Sequence, residues 1–130
     1  MSKSLGNLVL VGQALERAPA AAVRLYLVSH RYGRDWSFRW SGLAQTARFV
    51  ERLRALLEGE VRGAGAPHPG KGAGAGPGVR AVPARFAAAL ADDLNTPEAM
   101  RQLRAAVRDR DAAAARQMLA ILAGTASLSR

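Results

Sequence analysis

The segment Arg62-Gly63-Ala64-Gly65-Ala66-Pro67-His68-Pro69-Gly70-Lys71-Gly72-Ala73-Gly74-Ala75-Gly76-Pro77-Gly78 limits what this chain can fold into more than any other stretch. Glycine, alanine and proline dominate it. Such a composition buries too little apolar surface to offset the entropy lost on ordering, so it reads as a flexible linker over 59–79. Its GxGxG spacings follow no strand and open no βα unit, which argues against a phosphate cradle. What remains is two short blocks, 1–58 and 80–130. Each must fold with little apolar bulk. Hydrophobic residues make up 49% of the chain, but alanine inflates that figure and aromatic residues are only 5%. A lean core of this size is marginal when it stands alone.

Both blocks read as helical. In the first, Leu8-Val9-Leu10-Val11 is an apolar run that suits a strand or the entry to a helix over Gly12–Arg17. Pro19 restarts the chain. Ala20–His30 has helical spacing, with Val23, Tyr26, Leu27 and His30 expected on one face. Tyr32-Gly33-Arg34-Asp35 reads as a turn. Ser41 is the expected N-cap of a long helix reaching about Glu58. Its inward face would be Leu43, Ala47, Val50, Leu53 and Leu57, and its polar side Arg48, Glu51, Arg52 and Arg54.

The second block reads as three helices. Val82–Ala91 would bury Phe86 and Leu90. Asn95 or Thr96 caps the next helix, Pro97 takes its first position, and Glu98 lies in the first turn near the positive helix end. That helix runs to about Arg108, with Met100, Leu103 and Val107 inward. Asp111 caps a third, Ala112–Leu122, with Met118, Leu119 and Leu122 inward and Gly124 ending it. The tail Thr125–Arg130 is expected to fray. Asp92 and Asp93 are adjacent carboxylates, but no His or nucleophile accompanies them. Capping and joining two helices explains them without catalysis. The fold class expected is therefore mainly α: a small helical subdomain, the linker, and a three-helix C-terminal bundle.

Charge narrows the partners. The formal net charge is +9, and Lys3 and Lys71 are the only lysines, so arginine carries the rest. Arginine forks match phosphate and carboxylate bidentately. A small, strongly basic helical chain reads as a nucleic-acid binder or as the partner of an acidic surface. Solvated helix faces in an arginine- and alanine-rich chain are the plainer explanation of any single arginine. Trp36, Phe38 and Trp40 alternate between Arg34 and Arg39, a pattern that can stack bases or hold a small subdomain together. The arginines are expected to be more exposed than the rings. There is no cysteine, hence no disulfide or thiol chemistry. No apolar stretch is long enough to span a membrane, and a cytoplasmic protein is the default.

Two strings carry a family resemblance. Met1-Ser2-Lys3-Ser4-Leu5-Gly6-Asn7 resembles the KMSKS loop of class I aminoacyl-tRNA synthetases, lacking only its first lysine. Leu90-Ala91-Asp92-Asp93-Leu94-Asn95-Thr96-Pro97-Glu98-Ala99 resembles the sequence that opens the C-terminal helical domain of cysteinyl-tRNA synthetases. Between them, Ala22-Val23-Arg24-Leu25-Tyr26-Leu27-Val28-Ser29-His30-Arg31-Tyr32 and Asp35-Trp36-Ser37-Phe38 fall in that family's order. The resemblance covers essentially the whole chain. It extends to mycothiol cysteine ligase, a relative that joins cysteine to an aminosugar rather than to tRNA.

The resemblance implies roles. Lys3 would be the catalytic cation that follows the charge building on departing pyrophosphate, where stabilisation is greatest in the transition state. Ser2, Lys3 and Ser4 would meet the phosphates of ATP, with Gly6 letting the backbone turn. Arg24, Arg31, Arg34, Arg48 and Arg52 would contact the phosphates of tRNA, cysteine-specific in the family. The family's zinc site and HIGH-like sequence belong to an N-terminal Rossmann-type domain. His30 and His68 are the only histidines here and cannot supply zinc's usual set of about four nitrogen or sulfur ligands, so no metal site is expected. The implied identity is the C-terminal third of a cysteine–tRNA ligase, a fragment or truncated paralogue that would not activate cysteine by itself. A mycothiol-type ligase fragment and a stand-alone RNA-binding or regulatory paralogue are the alternatives.

Overall fold

A computed structural model describes residues 9–63 and 82–124. These residues form six helices and no strand: α1 (Val11–Arg17), α2 (Ala20–Val28), α3 (Trp40–Gly63), α4 (Ala84–Ala91), α5 (Thr96–Arg108) and α6 (Ala112–Ala123). The mainly α class read from the sequence is the observed one. Residues 1–8, most of the glycine-rich run (64–81) and 125–130 lie outside the described residues, and with them Ser2, Lys3, Ser4 and the tail Thr125–Arg130.

The two blocks share one core. The helices α2 and α3 pack against each other, α5 lies between α4 and α6, and α6 and α5 also pack against α2 and α3. Alanine makes this possible. Ten of the 23 buried apolar residues are alanine, so helices approach closely around few large side chains. The bulk comes from Leu25, Leu43, Val50, Leu53, Phe86, Leu103 and Met118, all essentially inaccessible to water. A thin core cannot be divided between two independent bodies without exposing these residues, which is why the blocks join.

The helix ends explain where the chain departs from its sequence pattern. The helix α2 stops at Val28 instead of running to His30. The Ser29 hydroxyl donates to the Tyr26 carbonyl at 2.6 Å, and His30 Nδ1 lies 2.8 Å from the same oxygen. Local side-chain bonds of this kind compete with helix continuation. On α2 the buried residues are Ala21, Ala22, Val23, Leu25 and Tyr26, so the expected face holds at Val23 and Tyr26, while Leu27 is 46% exposed. Ser41 does not cap α3, whose first helical residue is Trp40; the N–H groups of Gly42 and Leu43 bond the Arg39 carbonyl. The α3 face proposed from spacing is correct at Leu43, Val50, Leu53 and Leu57, and Phe49 is buried beside it. That helix continues past Glu58 to Gly63, into the start of the glycine-rich run.

The α4–α5 joint is the Asp92–Thr96 turn. Asp93 and Leu94 both have φ of 48°, an unfavourable left-handed conformation for residues with a Cβ. Backbone bonds pin it: Leu94 N–H to Leu90 O, Asn95 N–H to Ala89 O and Thr96 N–H to Leu94 O. Asn95 sits at the N-cap position of α5, but its amide donates to Asp92 at 3.1 Å rather than capping. Asp111 does cap α6, accepting from the Ala114 N–H at 2.9 Å.

Candidate nucleic-acid interface

Two features stand out on this scaffold: an aromatic corner where α2 leads into α3, and a basic groove between α3 and the α5–α6 pair.

The corner is built on Tyr26. Its ring takes the edges or faces of His30, Trp36 and Phe38 at centroid distances of 4.8, 5.8 and 5.3 Å, each nearly perpendicular. Trp36 stacks on His30 at 3.9 Å with an interplanar angle of 14°. Phe38 meets Trp40 edge-on at 5.0 Å, and the Arg17 guanidinium covers the Trp40 ring at 4.4 Å. The Tyr26 hydroxyl accepts the Arg39 N–H at 2.9 Å, satisfying a donor at the start of α3. Gly42 is what lets α3 come so near: a Cβ there would lie 2.7 Å from Tyr26 Cε2. Trp36 and Trp40 remain 41% and 37% exposed, but their ring partners lie within the protein. The aromatic stretch therefore holds the subdomain together.

The same corner ties the two blocks to each other. The Tyr32 phenol donates to Asp93 at 2.6 Å, and the Thr96 hydroxyl donates to the His30 carbonyl at 3.2 Å. The bond to Asp93, and then the negative charge of that carboxylate, raise the Tyr32 phenol above its ordinary value. Asp92, Asp93, Asn95 and Thr96 thus act as a joint and a latch. On α5, Gln102 donates to Glu98 at 2.7 Å, and Arg101 pairs with the same carboxylate. The Gln102 bond chiefly holds Glu98 below the usual carboxylate range, against a partial loss of hydration.

The groove has about 1060 Å³ of open volume. Arg48 and Arg52 of α3 line one wall, and Arg104 and Arg108 of α5 with Arg110 of the α5–α6 turn line the other. Phe49, Leu56 and Val107 also line it, and among the described residues no carboxylate does. The Arg104 guanidinium sits 5.8 Å over the Phe49 ring, which fixes its stem across the groove. Arg108 pairs with Asp109 at 3.2 Å, though both side chains are mostly in solvent, where such a pair is weak. Each wall carries an Arg–Arg pair at i,i+4, a like-charge spacing that costs a helix about 0.2–0.5 kcal/mol. Such gathering of like charge, with Asp109 beside Arg108 its one weak counter-charge among the described residues, suits an anion larger than a single small molecule.

The arginines proposed from the sequence divide. Arg48 and Arg52 come together in this groove. Arg24, Arg31 and Arg34 do not line it, and Arg24 donates to the Ala123 carbonyl at 3.2 Å at the end of α6. Arg104, Arg108 and Arg110 were missed. The repeated i,i+4 arginine spacing on α3 and α5 was the available signal, but their facing required the fold. Among the described residues no three His, Cys, Asp or Glu side chains gather as metal ligands would, and no helix is long and apolar enough to cross a membrane.

Comparison with known proteins decides the ancestry. The cysteine–tRNA ligase of Parvibaculum lavamentivorans is 40% identical over 102 residues, covering 77% of this chain and 19% of the relative. The chain belongs to the cysteine–tRNA ligase family. The enzyme of Alkalilimnicola ehrlichii bearing the same name is 37% identical over 98% of the chain and 28% of its own length. The L-cysteine:1D-myo-inositol 2-amino-2-deoxy-alpha-D-glucopyranoside ligase of Cellulomonas flavigena is 42% identical over 77% of the chain and 21% of its length. The chain thus spans between about a fifth and about a quarter of these relatives, matching their C-terminal portion. No family model matches the chain, and no solved structure does.

Proposed function

We propose that these 130 residues are the tRNA-contacting C-terminal part of a cysteine–tRNA ligase. The observation that carries this is a basic groove with no carboxylate among its described lining residues, on a chain whose relatives include several named cysteine–tRNA ligase. In this reading the cysteine and adenine pockets lie in residues outside this chain, and the chain alone does not activate cysteine. Lys3, with Ser2 and Ser4, would reach the phosphates of ATP held there and stabilise the leaving pyrophosphate. Arg24, Arg31, Arg34, Arg48 and Arg52 would meet tRNA phosphates, and the protein would work in the cytoplasm.

The Cellulomonas relative supports a second reading, a ligase that hands cysteine to an aminosugar. Such an enzyme has no use for a wide polyanion groove. Titrating the chain with cysteine tRNA separates the two. The tRNA reading expects saturable binding that weakens steeply with salt, as phosphate contacts do. Absence of binding at low salt would favour the aminosugar ligase.

A further inference from the structure

Resting on the tRNA reading, we infer that the α3–α5–α6 groove seats one phosphodiester ridge of folded RNA and supplies affinity without sequence discrimination. Arg48 and Arg52 grip one flank, and Arg104, Arg108 and Arg110 grip the other.

Three observations lead there. The first is shape. The groove is open and about 1060 Å³, at or above the size of an ordinary small-ligand pocket, and it is not closed over. An extended strand fits it better than a compact metabolite. The second is the donor set. Four successive helix positions advance about 6 Å along the axis, so each wall presents two guanidinium forks in a row. Forks of this kind match phosphate oxygens bidentately, and a ridge between two rows is gripped from both sides. The third is what is missing from the lining. Gln45 is the one uncharged polar side chain among its described lining residues. The guanidinium forks would meet a folded RNA ridge at its phosphates, because the deep, narrow major groove of an A-form helix keeps base edges out of their reach. Contacts to phosphate fix position and affinity but carry no sequence information. Selection of the cysteine tRNA then belongs elsewhere in the enzyme.

The residues that make this assignment new are Arg104, Arg108 and Arg110. The test is binding of the full chain to cysteine tRNA and to bulk tRNA across a salt series. Wild type is compared with the triple variant Arg104→Gln, Arg108→Gln, Arg110→Gln, and with the same three positions changed to Lys. Arg85→Gln, an arginine of α4 that neither lines the groove nor belongs to the proposed tRNA contacts, serves as control and should keep the wild-type slope. Thermal melts show that each variant folds.

The expected result is a log–log salt slope shallower by roughly 2 to 3 in the glutamine triple, since each duplex phosphate contact contributes about 0.9. Both RNAs should weaken by the same factor, and the lysine triple should keep most of the slope. An unchanged slope in the glutamine triple overturns the groove while leaving the tRNA reading intact. Loss confined to cysteine tRNA overturns the claim that the groove does not discriminate. Competition by polyglutamate as effective as by RNA would assign the groove to an acidic protein surface. No binding of either RNA by wild type would remove the tRNA reading and this inference together.

Discussion

The aromatic corner and the arginine groove both begin as plausible RNA contacts, and they differ in one respect. In the corner, Tyr26, His30, Trp36, Phe38 and Trp40 find partners in one another, and Arg17 is spent on Trp40. In the groove, Arg48, Arg52 and Arg110 make no ion pair among the described residues, and five like charges face one opening. Aromatic rings are satisfied by rings, so their exposure alone says little about a ligand. Arg108 meets only the solvent-exposed Asp109 and Arg104 only the Phe49 ring, so most of the crowded guanidinium charge has no internal solution among the described residues. The comparison teaches that unmet electrostatic demand, rather than exposure, is what sets the groove apart from the corner.

That contrast can be broken by substitution. The largest effect is expected from Leu53→Ala on α3, the helix that carries parts of both regions. Its side chain is fully buried, and such truncations cost about 2–5 kcal/mol. Chemical denaturation should show one cooperative transition moving to lower denaturant. Two separate transitions would mean that the blocks do not share a core.

Gly42→Val should come next, at about 1–3 kcal/mol, because its Cβ meets the buried Tyr26 ring. The indole fluorescence of Trp36 and Trp40 should shift with it. A variant as stable as wild type would show that the corner is loose. Tyr26→Phe removes the acceptor for the Arg39 N–H and should cost about 1 kcal/mol, or more if water cannot reach that donor.

Groove substitutions should behave in the opposite way. Arg48→Gln relieves an i,i+4 repulsion, so stability should stay within about 0.5 kcal/mol of wild type or rise slightly, while Arg104→Gln also gives up its place over Phe49 and should cost no more than about 1 kcal/mol. RNA affinity should fall in both. A large loss of stability would make the groove arginines structural after all.

The smallest effect concerns the latch. Tyr32 is held protonated by Asp93, so its folded value lies above its unfolded one. Stability from this bond is complete below the unfolded phenol value and is lost as pH rises through the folded one. The sign follows because, in that window, the folded state binds more protons. Tyr32→Phe should therefore lower the melting temperature slightly at neutral pH and flatten part of the alkaline fall, so that the two curves converge as pH rises through the folded phenol value. An alkaline limb identical to wild type would show that the latch contributes nothing.

The legible part of this molecule was local. The face of α3, the inward residues of α5 and the cap at Asp111 follow from spacing and capping chemistry within a few residues. The early end of α2 was harder, because it depends on Ser29 and His30 turning back onto one carbonyl. The α2 stripe was right at Val23 and Tyr26 and wrong at Leu27, because the buried face is centred on Ala22 and Leu25 and leaves Leu27 outside it. The Asp93–Tyr32 and Thr96–His30 bonds join residues more than sixty positions apart, which no periodicity can report. The groove is the same case on a larger scale. Half of it was named from the sequence as Arg48 and Arg52. Its other wall came into view only when α5 was placed opposite α3.

The most direct test of the account reads both regions at once in the NMR spectrum of this 13.7 kDa chain during titration with tRNA. The account predicts that the side-chain Nε–H signals of Arg48, Arg52, Arg104, Arg108 and Arg110 shift early and together. The indole N–H signals of Trp36 and Trp40 should scarcely move. Indole signals that shift first, with the groove arginines unchanged, would contradict it and return the RNA contact to the aromatic corner.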